Sequence, residues 1–335
     1  MVYDDTCIGN VASGSISAPV TGLEPLTTYY YRAFVAEYNE STSSYEYRYG
    51  SILSFTTEAG PGYTPSGWLE LPAVSGGEDF VGKFYGSGGM AGVNRNYSYY
   101  YDYTRYASLW VAYPLCGTHK SGSASTSSWR YNPNISYLSP NRQVFVTSNS
   151  YGTMYGDDTY SRGHQCPNAS RKSDDTMNEQ TYYVTNQTPQ RQNNFNASIW
   201  GSLEGAVRDL VSSASDTVYV ATGPVYQKVG GNETINYLTG VDGKNANPSS
   251  LAIPNYYWKA ILKVKRNDGG NIISAKAIGF WFEHKDYDKN TPYSSYAVTV
   301  NQIEEWTGFD LFSNLPDALE DGAESNASWT DFQSY

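Results

Sequence analysis

The chain has 335 residues, 39% of them hydrophobic and 16% charged, with a formal net charge of −11. This composition excludes a disordered chain and leaves room for about two domains, and no apolar run reaches the roughly 18 residues that a membrane-spanning helix needs. The charge is uneven: residues 1–60 carry seven acids and two bases, residues 283–335 eleven acids and two lysines, and the stretch between is +3, which permits a polyanionic partner without arguing for one.

Thirty-three tyrosines set among Ser, Thr, Asn and Gly favour strands and ordered loops over helices. The opening MVYDDTCIGNVASG has no basic stretch followed by an apolar one, so no signal peptide is expected in this sequence. The first predicted strands are SGSISAPVTGL, TTYYYRAFVAEY and YGSILSFTT, with alternation clearest from Thr28 to Phe34. EAGPGYTPSG, residues 58–67, has the Gly/Pro content of a linker. Beyond it, strands are predicted over 106–115, 143–150, 181–186, 217–223, 256–266 and 273–283. A helix is predicted over 197–212, where Ile199, Leu203, Ala206, Val207, Leu210 and Val211 recur at helical spacing, and a short one over 302–307. The last stretch, ALEDGAESNASWTDFQSY, is acidic and polar and is expected to be loosely held.

Three cysteines, Cys7, Cys116 and Cys166, are too few and too scattered for a disulfide framework or a zinc site. One Cys116–Cys166 bridge and free buried thiols are both compatible with their positions. Of the three histidines, His164 stands in YSRGHQCPNASR, two residues after Arg162, whereas His119 and His284 lie in no recognisable motif and are read as structural. Asn196, Trp200, Glu204 and Arg208 follow one another at four-residue steps and should line one side of the predicted helix. Taken alone, Glu204 and Arg208 make an ordinary exposed i,i+4 pair, and Asn196 an ordinary N-cap, with Asn193 and Asn194 as rivals. The chain has no G-x-S-x-G elbow, and no phosphate-binding loop precedes Lys244.

Taken together, Ser161-Arg162-Gly163-His164, Thr185-Asn186-Gln187-Thr188-Pro189-Gln190, and Asn196, Trp200, Leu203-Glu204 and Arg208 resemble the DNA/RNA non-specific endonuclease family, whose active site is a ββα-metal (His-Me) finger. WVAYPL at 110–115, VATGPVY at 220–226 and IEEWTGFDLFSNLP at 303–316 match in the same order, and the resemblance spans roughly 68–316. It implies an α+β fold: a mixed β-sheet core with flanking helices and the ββα-metal finger. TGLEPLTTYYYRAFV…YGSILSFTT in turn resembles the C-terminal half of a fibronectin type III module, a small, partial all-β sandwich. The expected organisation is therefore a fibronectin-like segment at 1–57, a linker at 58–67, the nuclease domain at 68–316 and an acidic tail at 317–335.

The resemblance implies a metal-dependent, sugar-non-specific endonuclease that hydrolyses DNA and RNA to 5′-phosphate products. It assigns His164 as the base that activates water and Asn196 as the direct ligand of one Mg²⁺, with Mn²⁺ or another divalent cation as substitutes. Glu204 would hold the waters around the metal, Asn186 would orient the site, and Arg162 and Arg208 would neutralise the phosphate. Contacts to nucleic acid would go to backbone phosphates. Ser161 stands where the family more often has Asp, and Arg130, beside Trp129, is a further candidate phosphate contact. A secreted or envelope-associated bacterial enzyme would suit the architecture. The competing reading is a non-catalytic surface or adhesion protein that uses the nuclease fold as a scaffold.

Overall fold

The computed structural model describes residues 28–56, 65–73, 81–87, 95–135, 143, 160–214, 216–239 and 250–335. Contacts divide the chain into two units, Met1–Gly62 and Tyr63–Tyr335. In the first, β1 (Thr28–Tyr31), β2 (Phe34–Asn39), β3 (Ser44–Tyr49) and β4 (Leu53–Thr56) form two antiparallel pairs, β1 with β4 and β2 with β3. The break at residues 32–33 splits what the tyrosine-rich run suggests is one strand. The strand expected within SGSISAPVTGL lies outside the described residues, as does nearly all of 143–150.

The second unit begins with β5 (Val81–Tyr85), β6 (Arg95–Asp102), β7 (Ala107–Cys116) and the single turn α1 (Gly117–Lys120). Then come β8 (Tyr160–His164), α2 (Asp175–Gln180), β9 (Gln187–Arg191) and α3 (Gly201–Asp209). β10 (Thr217–Val225), β11 (Asn236–Thr239), β12 (Ser250–Ile253), β13 (Tyr256–Arg266), β14 (Ile272–Glu283) and β15 (Ala297–Val298) follow. The chain closes with α4 (Val300–Thr307), α5 (Asp317–Glu324) and α6 (Trp329–Ser334). A seven-stranded antiparallel sheet in the order β15-β14-β13-β10-β7-β6-β5 is the centre of the unit, and β8–β9 and β11–β12 are separate two-stranded ribbons. No helix among the described residues is long and apolar enough to cross a membrane.

Strand side chains alternate between faces, so the central strands feed two cores. Val111, Tyr113, Leu115, Val220, Tyr257 and Ile261 pack on one face against Phe195, Trp200, Leu203 and Val207, from the segment that carries the candidate site. Trp110, Ala112, Ala221, Trp258 and Ala260 pack on the other against Val300, Ile303, Leu319 and Ala323 of α4 and α5. Both faces are covered, which is why these strands are apolar nearly throughout.

Three sequence expectations change. Residues 181–186 form no strand: Thr181 ends α2, and Val184–Asn186 make a 3₁₀ turn held by Asn186. The helix expected over 197–212 is α-helical only from Gly201 to Asp209; Gln192–Trp200 form a wide π-type turn that breaks at Ser198 (φ −129°, ψ −111°). Residues 317–335 are helical and packed rather than loosely held, with Phe332 fully buried and Trp329 nearly so. Their acidic residues dominate the composition, but Leu319, Ala323, Trp329 and Phe332 supply the apolar contacts that dock them.

Candidate active site

β8 and β9 pair in register from Tyr160↔Arg191 to His164↔Gln187, and the chain leaves β9 directly into the wide turn and α3. Two strands and a helix thus bring the candidate residues of three sequence segments into one unit. Gly163 is required by this pairing, because a Cβ there would lie 2.1 Å from the buried Gln190 side chain. Gly201 is required at the bend, where a Cβ would lie 2.8 Å from the Asn196 carbonyl that accepts the Gly201 N–H. Arg162 and His164, two apart on β8, project from the same face.

The His164 ring packs against two aromatics, with centroids 4.7 Å from Trp129 and 4.8 Å from Tyr182, which are themselves 5.0 Å apart, so the three rings form a triangle. The Arg162 guanidinium lies 5.4 Å from the centre of the same Trp129 ring. His164 is half-buried, yet its Nε2 is enclosed and has no hydrogen-bond partner among the described residues. Burial, with the neighbouring Arg162 charge second, pulls the imidazole down to about 3, so the ring is neutral at physiological pH. An enclosed ring nitrogen without a partner is an uncommon cost in a native fold, and an arriving water or substrate donor would relieve it.

Asn196 neither caps nor begins a straight helix. It sits in the wide turn before the Ser198 break, and the residue preceding α3 is Trp200. Its Nδ2 donates to Ser161 Oγ at 2.8 Å and to Gln192 Oε1 at 3.3 Å. Ser161 Oγ in turn donates to the Gln190 carbonyl at 3.1 Å. The serine therefore ties the turn to β8 three residues before His164. Because the amide nitrogen is used in this way, the Asn196 Oδ1 is the end left for a cation; it accepts no hydrogen bond from the described residues.

Asn186 is wholly buried and acts through the backbone. Its Oδ1 accepts from Cys166 N at 2.8 Å, and its Nδ2 donates to the carbonyls of Cys166 at 3.0 Å and Thr181 at 2.8 Å. It thereby fixes the chain immediately after His164, which fits an orienting role and leaves no free amide for substrate.

Glu204 and Arg208 share α3, but Trp200, one turn earlier, is 1% exposed and belongs to the core, so these residues do not form one exposed stripe. Burial pushes the Glu204 carboxyl up to about 6, against the lowering pull of Lys259 and Arg208. The Arg208 Nη1 is buried without a hydrogen-bond partner among the described residues. Arg130 is engaged by Glu179, which makes it a poor candidate for contacting phosphate.

His119 and His284 are held by backbone groups. His119 Nδ1 accepts from Cys116 N at 3.4 Å, while His284 Nε2 accepts from Arg191 N at 2.9 Å with its Nδ1 2.9 Å from the Pro254 carbonyl. Cys116 and Cys166 are free thiols, so the bridge between them does not form, and burial pushes the Cys166 thiol up to about 11.

Sequence reasoning missed Lys259, which is fully buried in the middle of β13 beneath Trp200, and the Trp129–Tyr182 pair around His164. The available signal for Lys259 was one cation inside the apolar run YYWKAIL.

An antiparallel sheet carrying a strand–strand–helix site with one orphaned histidine defines a nuclease-like α+β fold. Residues 82–318 match the family model described as DNA/RNA non-specific endonuclease, and the chain belongs to that family. It is 26% identical over 235 residues to a nuclease of Nostoc, covering 70% of this chain and 77% of that one. With a Serratia marcescens nuclease it is 27% identical over 245 residues, covering 72% and 81%. The mitochondrial nuclease 1 of Schizosaccharomyces pombe is 32% identical over 166 residues, covering 48% of this chain and 49% of the yeast protein, so the match spans only about half of that relative's length. Among solved structures, EndoG in its complex with EndoGI superposes with a TM-score of 0.51 at 22% identity, over 66% of this chain and 84% of that one, a likeness of fold.

Proposed function

We propose that the protein is a divalent-metal-dependent endonuclease that hydrolyses phosphodiester bonds in DNA and RNA, leaving 5′-phosphates. The observation that carries this reading is the neutral, unpartnered His164 Nε2 on the strand to which Ser161 ties Asn196. His164 takes a proton from the attacking water through Nε2. Arg162 and Arg208 offset charge on the phosphoryl oxygens, and Arg208 has a buried donor that no described protein group uses.

The donor set fits a hard cation. The amide oxygen of Asn196 is a hard donor that suits Mg²⁺, since that ion prefers oxygen ligands and keeps most of its waters. The Asn196 Oδ1 would hold it, and Glu204 would accept hydrogen bonds from its water shell. When bound, the ion would polarise the phosphate and stabilise the departing oxygen. The substrate is engaged through phosphates, so binding weakens with salt. The family's named relatives are both mitochondrial and bacterial, so membership alone assigns no compartment.

Digestion of plasmid DNA and of RNA with Mg²⁺ tests the reading. Wild-type protein should cleave both, EDTA should stop it, and His164→Ala should lower the rate by about 10²–10⁴-fold. No cleavage by the wild type across Mg²⁺, Mn²⁺ and Ca²⁺ would sink the reading and favour a non-catalytic scaffold.

A further inference from the structure

The ribbon of β8 and β9 has one buried face and one open face. Ser161 and Gly163 are buried, whereas Tyr160, Arg162 and His164 are partly exposed, so the candidate site lies on the open face. The register pairs Arg162 with Pro189 and Tyr160 with Arg191. Residues opposite one another share a face, so Arg191 stands on the side of His164 and Arg162, one diagonal step from Arg162 and about 7–8 Å away. The chemistry proposed for His164, Asn196 and Arg162 makes no use of it.

The Arg191 guanidinium forks onto one carboxylate: Nε donates to Asp286 Oδ1 at 2.9 Å and Nη2 to Asp286 Oδ2 at 2.6 Å. Neither partner needs this pair to hold its place. After β14, His284 N donates to the Asn255 carbonyl at 2.8 Å and Tyr287 N to the Asn194 carbonyl at 3.0 Å, and the Tyr287 side chain is buried. Arg191 is fixed through its backbone N–H, which donates to His284 Nε2 at 2.9 Å. The side chains are 22% exposed for Arg191 and 47% for Asp286, so water reaches the pair and it adds little to stability. A guanidinium edge that fits a carboxylate fits a phosphate equally well. A weakly held carboxylate on the face that meets a polyanion can therefore be exchanged for one of its phosphates. We propose that Arg191 is a further substrate-binding residue: it takes the phosphate next to the one that Arg162 meets, and Asp286 is its resting counter-ion, displaced when nucleic acid binds. Two arginines on one ribbon face then grip successive phosphates, contacts that carry no base information.

The inference rests on the endonuclease reading, which puts phosphate at Arg162, but its readout is independent of cleavage. Binding of a fluorescein-labelled single-stranded DNA is followed by anisotropy in EDTA at several NaCl concentrations. Arg191→Gln should weaken binding and reduce the slope of log K against log [NaCl] by about 0.7, the loss of one phosphate contact. Arg191→Lys, which keeps the charge without the fork, should keep the slope and part of the affinity. Asp286→Asn, which removes the competing anion, should tighten binding by about three- to fivefold, and that gain should vanish when Arg191→Gln is also present. An unchanged slope in folded Arg191→Gln overturns the proposal, and so does a gain from Asp286→Asn that persists without Arg191. Should Arg191→Gln not fold, Asp286→Asn decides: tighter binding supports the exchange and none overturns it. If the variants behave as expected but the wild type cleaves nothing with any divalent cation, the endonuclease reading alone fails. Wild-type cleavage with an unchanged slope in Arg191→Gln defeats this inference alone.

Discussion

At the scale of single residues, Ser161 does more than occupy the place of an aspartate. Its hydroxyl accepts from Asn196 Nδ2 while donating to the Gln190 carbonyl, so one small side chain orients the amide and locks it to the hairpin. A carboxylate there could accept but not donate, and would add a charge beside the proposed cation site. Serine thus preserves the orientation and gives up the charge. Ser161→Ala should leave the fold intact but free the Asn196 amide to rotate. Apparent Mg²⁺ affinity, measured by metal titration of cleavage or by calorimetry, should fall about 10-fold, and Ser161→Asp should recover it. Unchanged affinity in Ser161→Ala would mean that Gln192 alone holds the amide.

At the scale of elements, the segment after His164 is secured by a buried cation that forms no ion pair among the described residues. Arg171 is 0% exposed and donates to Asn96 Oδ1, to the Asn96 and Pro114 carbonyls and to the Ser170 carbonyl at 2.7–2.9 Å, with its guanidinium over the Tyr113 ring. It therefore pins residues 165–171 to β6 and β7. Arg171→Met would leave those acceptors buried without donors, and should cost about 3 kcal/mol or more, read as a lower urea midpoint. Nothing in the sequence distinguishes this arginine from a surface one, and the same limit runs through the molecule. The apolar runs in YYWKAILKVKR and ISAKAIGFWFE made β13 and β14 legible, because a strand buried on both faces must be apolar almost throughout. His164, Asn196, Glu204 and Arg208 were legible as spaced motifs. The wide turn at 192–200 was not, since it depends on the Ser198 backbone and on the Asn196 carbonyl, which helical spacing cannot register. TYYVTN has strand-forming residues, yet the Asn186 side chain captures the Cys166 backbone and the Thr181 carbonyl and curls the segment into a turn. Local propensity lost to a tertiary hydrogen-bond network.

At the scale of the whole second unit, the two faces of the sheet divide the charge. The site segment packs on one face and the acid-bearing helices α4 and α5 on the other, which places Glu304, Glu305, Asp317, Glu320, Asp321 and Glu324 across the sheet from the side that would meet a polyanion. Gathering those acids has a consequence for stability. Glu324 is 4% exposed with an unpartnered Oε1, and the groups facing it are Glu304 and Asp310 on and after α4, and Glu320 and Asp321 on α5. Burial first, and these like charges second, push Glu324 up to about 9; the same causes, with Asp317 added, push Glu320 up to about 7. In the unfolded chain both carboxyls return to the ordinary range near 4.5. Between that value and their folded-state values, the native protein therefore holds protons that the unfolded chain has released. Stability must fall as pH rises through this window, since the folded state has to give up those protons and bury repelling charges. The direction is opposite to that of a salt-bridged carboxylate, which loses stability as pH falls. Thermal melts of the metal-free protein should show Tm declining from about pH 5 towards pH 9. Glu324→Gln, which keeps the shape and a neutral group, should flatten the slope and stabilise the protein at pH 8 by on the order of 2 kcal/mol. A Glu324→Gln protein whose Tm followed the wild-type curve across that range would mean the carboxyl is already ionised and compensated, and the proton held in α5 would have to be given up as an account of this region.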